Sequence, residues 1–74
     1  MKIQSIAHSY WRAITRGSRT FESLENVKEK AGYPTMQEQV KHLAKTDVVN
    51  EKITAEEYEQ YIGEAYPVVE EVTT

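Results

Sequence analysis

His8 and His42 are the only imidazoles available for metal or proton chemistry, and the chain has no cysteine. Neither histidine has a second one at ligand spacing, so a metal site would have to recruit carboxylates from distant segments. The pattern favours histidines at the surface or its boundary. Serine, histidine and acid side chains are all present, but none sits in a nucleophile-elbow or triad context. Glu56, Glu57 and Glu59 crowd one helix start, where the macrodipole and solvent account for them. Gly17, Gly32 and Gly63 stand alone, so no glycine-rich loop cradles a phosphate. These residues predict a protein that is not an enzyme and that carries no cofactor and no metal.

The remaining chemistry is basic and aromatic. Arg12 and Arg16 lie four apart on one helix, with Arg19 just beyond and Trp11 adjacent. Such a helix can track a phosphate backbone or stack on a base. Three arginines are few, however, and the acidity of the rest of the chain repels nucleic acid. Residues 1–21 carry Lys2 and the three arginines without an acid, a net +4, whereas residues 47–74 carry eight acids against Lys52, a net −7. Pairing of the basic head with the acidic C-terminal segment is therefore the favoured use of the arginines. That preference is over nucleic acid; a pair of solvated helix faces, with no specific use of the charge, ranks ahead of both. Tyr10, Tyr33, Tyr58, Tyr61 and Tyr66, with Trp11 and Phe21, can build a core or an exposed partner interface, and both uses need the same amphipathic helices. Trp11, Arg12, Arg16, Arg19, Tyr58, Tyr61 and Tyr66 form the candidate interaction surface.

Short helices must position these groups. Ile3, Ile6, Ala7, Tyr10, Ala13 and Ile14 fall at helical spacing, with Trp11 widening the face and Gly17 just past the last turn. Thr20 then predicts a weaker helix start, with Phe21, Leu24, Val27 and Ala31 as its stripe, Asn26 interrupting it and Gly32 ending it. Thr35 and Glu38 form a capping box for a helix over "TMQEQVKHLAK", with room to run on through Val48 and Val49 before Asn50 breaks it. Thr54 and Glu57 form a second box, flanked by Ile53 and Tyr58 as a hydrophobic staple, and Gly63 is a left-handed stop. The fold class is all-α, a small bundle of three to four short helices. Residues 1–67 are expected to form a single helical domain, with 68–74 as a flexible C-terminal tail.

No segment approaches the ~20 apolar residues of a membrane span. Gln4, Ser5, His8 and Ser9 interrupt the apolar run that a signal peptide would need. A cytoplasmic protein, with no membrane partner, is the expectation. Seventy-four residues without disulfide or metal support a core worth only ~3–5 kcal/mol net. That thin margin, with the supply of apolar side chains, predicts self-association, most simply a homodimer.

The block "ITAEEYEQYIGEAY" resembles the short signature of the XkdX-like family of small phage and prophage proteins. The family pattern is an isoleucine-threonine helix start, two acids, a tyrosine, then an isoleucine-glycine-acid-x-tyrosine ending. It maps onto Ile53, Thr54, Glu56, Glu57, Tyr58, Ile62, Gly63, Glu64 and Tyr66, about a fifth of the chain. A fainter similarity joins "YWRAITRGSRTFESL" and "MQEQVKHLA" to other tiny proteins encoded near phage tail genes, although "ENVKEKAGYPT" is longer than the link expected between those blocks. The resemblance implies a phage or prophage origin, a location in the bacterial host cytoplasm or the virion, and a phage tail component as protein partner. It implies no catalytic residues. The leading expectation is thus a non-enzymatic interaction or structural accessory protein associated with tails. The alternative is a small nucleic-acid-binding regulator using the Arg12, Arg16 and Arg19 face.

Overall fold

The computed structural model describes residues 2–66. The expected tail, residues 68–74, lies outside them. Three α-helices and one 3-10 turn follow one another: α1 (Ser5–Thr15), the 3-10 turn (Glu22–Asn26), α2 (Met36–Val49) and α3 (Ala55–Ile62). The described residues contain no strand, so the chain is a small all-α bundle.

Helix α1 has no side-chain cap at Gln4 and no acid in its first turn. Its N-terminus is held by tertiary bonds instead, as described below. Its C-terminus closes locally: the amides of Gly17 and Ser18 donate to the carbonyls of Ile14 and Ala13 at 3.0 and 2.9 Å, with Gly17 at φ 81°. This pair of bonds satisfies carbonyls that a helix end leaves open, and glycine takes the left-handed position at no steric cost.

The second expected helix is not formed. Only Glu22–Asn26 turns, and it does so with 3-10 bonds such as Leu24 to Phe21 at 3.1 Å. The Ser23 hydroxyl donates to the Thr20 carbonyl at 2.7 Å, and the Thr20 hydroxyl accepts from the Ser23 amide at 3.2 Å. Such local bonds offer the backbone an alternative to the α-helix. Val27 is already extended at φ −91°, ψ 130°. Beyond it, the Lys30 amide donates to the Gln4 side chain at 3.0 Å, and Gly32 at φ 89° turns the chain toward Pro34.

Helices α1 and α2 run parallel. Gln4 meets Gln39 near their starts, and Trp11 meets Asp47 farther along both. A parallel pair requires a crossover, which residues 16–35 supply, and the 3-10 turn inside it packs Leu24 into the core. Helix α3 then returns antiparallel to α2, so that Glu64 reaches back to Lys41 at 2.7 Å. The reversal uses the same closure as α1. The amides of Glu51 and Lys52 donate to Val48 and Asp47 at 3.0 and 2.8 Å, but here Glu51 rather than glycine occupies the left-handed position, at φ 62°.

Thr54 and Glu57 form the full capping box, with bonds of 3.1 and 2.9 Å, and Gly63 ends α3 at φ 87°. At Thr35 only one half of the expected box is made: its hydroxyl accepts from the Glu38 amide at 3.2 Å.

The core joins Ala7, Trp11, Ile14, Leu24, Met36, Val40, Ala44, Tyr58 and Ile62. Trp11 takes the central position on α1, and that rotation leaves Ile6 47% exposed, outside the stripe it was expected to share. Val49 is the other large apolar side chain left outside among the described residues.

Candidate interaction surface

The residues expected to form one surface divide into a buried group and an exposed one. Trp11 is only 6% accessible and Tyr58 only 1%. Both belong to the core. Trp11 ties all three helices together. Its indole N–H donates to the Asp47 carboxylate on α2 at 2.8 Å, and its ring meets Tyr61 of α3 edge-to-face at 5.6 Å. Tyr66 closes over Tyr58 in the same edge-to-face manner at 5.2 Å, so the aromatic after the glycine stop folds back onto α3. Burial first, then the Glu64 carboxylate and Tyr66, raise the Tyr58 phenol above its ordinary pKa of 10.0.

Two of the three arginines face outward, and the third folds back. Arg12 and Arg16 are exposed, on the side of α1 opposite Ala7, Trp11 and Ile14. Arg19, beyond the Gly17 closure, doubles back so that its guanidinium lies 4.6 Å from the centre of the Tyr10 ring. A guanidinium over a tyrosine face is attracted by the ring quadrupole and is held in one orientation. Its Nε is buried without a hydrogen-bond acceptor. The expected pairing with the acidic C-terminal segment is not made within residues 2–66: the ion pair found there joins Lys41 to Glu64. Asp47 is engaged by Trp11 instead. Glu56 and Glu59 lie exposed on the outer side of α3, away from buried Tyr58 and Ile62.

A shallow concavity of about 330 Å³ runs along α2, lined by Glu38, Lys41, His42 and Lys45. His42 is exposed there, and His8 is exposed on α1. Among the described residues no three histidine, aspartate or glutamate side chains converge as metal ligands. None of the described helices is long and apolar enough to cross a membrane.

Two residues that organise this surface were not singled out by sequence reasoning. Gln39 is wholly buried. Its carbonyl accepts from the Gln4 amide at 2.7 Å, and its NH2 donates to the Pro34 carbonyl at 2.8 Å and the Gln4 side-chain oxygen at 3.3 Å. These bonds replace the missing cap of α1 and pin the crossover to α2. Asp47 is the other. The signal for both is positional: Gln39 and Asp47 sit three and eleven residues after Met36, on the apolar stripe of α2. Asp47 is moreover an anion in the C-terminal half of a helix, where the macrodipole disfavours it without a partner.

No family model, curated protein or solved structure matches the chain.

Proposed function

We propose that this chain is a non-enzymatic accessory protein of phage or prophage origin, which binds another protein through the arginine face of α1 during tail assembly. The observation that carries the binding role is the contrast between the two charged ends. Arg12 and Arg16 project from a helix braced by Trp11, and Arg19 is oriented by Tyr10, yet none forms an ion pair among the described residues. Arginine is suited to such a role because its planar guanidinium can bind a carboxylate through two hydrogen bonds at once. The XkdX-like block supplies the setting. Its threonine, acids, tyrosines and glycine form the capped helix α3 with its aromatic closure. Titration calorimetry against purified tail proteins encoded beside this chain tests the reading. Binding that weakens with added salt supports it, and heat traces indistinguishable from dilution for every tail protein would reject it.

The three arginines also favour one second reading, nucleic-acid binding, because Arg12 and Arg16 are exposed and Arg19, stacked on Tyr10 to one side of them, is the kind of group that tracks a phosphate backbone. Three arginines neutralise at most three phosphates, which corresponds to a salt slope of only about −3 on duplex DNA. Residues 47–66 carry six acids against one lysine and repel the same backbone. The protein-binding reading is therefore preferred.

A further inference from the structure

We propose that one partner of the arginine face is a second copy of this chain, with Arg12 and Arg16 of one copy docking on Glu56 and Glu59 of the next. The proposal rests on the arginine face being a protein-binding surface, and it names an occupant whose chemistry is present in the chain itself. Arg12 and Arg16 lie four residues apart on the outer side of α1, and Glu56 and Glu59 lie three apart on the outer side of α3. Both spacings place two like charges on one helix face. Neither pair is neutralised within the described residues, where Lys41–Glu64 is the ion pair formed. Among the described residues these are two complementary helix faces with no ion pair between them.

The apolar route to self-association is weaker. Trp11, Leu24, Met36, Tyr58 and Ile62 are buried, and Ile6 and Val49 are the large apolar side chains left exposed among the described residues. The contact is accordingly electrostatic. Exposed ion pairs are individually weak and are screened by salt. Association is therefore expected at high protein concentration and low ionic strength, where complementary faces find each other most readily. Because the two faces are different patches of one chain, each copy can engage a neighbour through each of them.

Sedimentation equilibrium of the full chain, from ten micromolar to one millimolar on the order-of-magnitude scale at which weak contacts populate, provides the test. At low salt the average mass is expected to rise above 8.6 kDa, and to return to it in high salt. The double variants R12E/R16E and E56K/E59K should each remain monomeric alone and associate when mixed, because each restores the other's charge pairing. The neutral variants R12Q/R16Q and E56Q/E59Q should lose association without putting repulsive charge at a helix end, and circular dichroism confirms that each is folded. Wild-type mass that stays at the monomer value throughout overturns the proposal, as does association that survives the reversals or a mixture that stays monomeric. Binding of a tail protein by the same wild-type sample would then stand independently of this failure.

Discussion

Gln39 offers the most demanding test of how this fold is held, because one wholly buried side chain joins three parts of the chain. Replacing it with leucine keeps a side chain of similar length but removes the partner of the Gln4 amide and that of the Pro34 carbonyl. A buried polar group left without a partner costs ~1–3 kcal/mol. Gln4 and Pro34 are half-buried, so water can recover part of that cost, and the loss is placed at ~2–3 kcal/mol for the two together. Against a net stability of ~3–5 kcal/mol this removes about two-fifths of the total or more. Urea denaturation followed by the single tryptophan, itself buried, reads the loss as a lower midpoint. Gln39→Glu sharpens the assay. The carboxylate still accepts from the Gln4 amide, but it faces the Pro34 carbonyl and the Gln4 side-chain oxygen with no hydrogen to donate. It should be less stable than the leucine variant at neutral pH. The gap to wild type should narrow as acid restores a donor, since the folded state then favours the protonated carboxyl. A Gln39→Leu midpoint indistinguishable from wild type would refute the claim that these bonds hold the start of α1.

Other expectations follow from single geometric features. Thr54→Ala removes the hydroxyl that accepts from the Glu57 amide and should cost ~1 kcal/mol, with an unchanged denaturant slope; no shift in midpoint would contradict the cap. Glu51→Gly should stabilise the protein by ~0.5–1 kcal/mol, because relief of the left-handed strain exceeds the extra freedom glycine gives the unfolded chain. A lower melting temperature in that variant would argue against strain at the turn. Tyr58, whose phenol holds its proton more tightly folded than unfolded, contributes stability that is present below pH ~10 and lost as pH rises through its raised folded value. Tyr58→Phe should therefore lose less stability than wild type between neutral and strongly alkaline pH. Parallel declines in the two proteins would count against a raised Tyr58.

Local signals were legible and distant ones were not. Thr54 with Glu57, Gly17 and Gly63 announce helix ends because each acts within one or two turns of itself, and the structure has all of them in place. Trp11 beside the α1 stripe points to burial in the fold or across an interface between copies, and it lies in the core. The Thr20–Ala31 helix failed for a tertiary reason joined to a local one: Thr20 and Ser23 bond to each other, and Lys30 is drawn out to Gln4. Helical periodicity in Phe21, Leu24 and Val27 carries no trace of that second tie. Gln39 and Asp47 were passed over because a polar residue on an apolar stripe reads as an interruption until its partner on another helix is known. In the candidate surface, the outward course of Arg12 and Arg16 follows from their place on the wheel. Trp11 and Tyr58 could not be assigned the same way, since core and interface aromatics share one amphipathic pattern.

Arg12 and Arg16 on the outer side of α1, with Arg19 beyond its closure, are proposed to bind another protein. The most direct measurement compares wild type with R12Q/R16Q/R19Q in titrations against purified tail proteins encoded beside the chain, with duplex DNA titrated in the same buffer. A tail protein is expected to bind wild type, the triple variant to lose most of that affinity while remaining folded, and DNA to bind neither appreciably. Tight, steeply salt-dependent DNA binding by wild type, abolished in the triple variant and accompanied by no affinity for any tail protein, would contradict the protein-binding role.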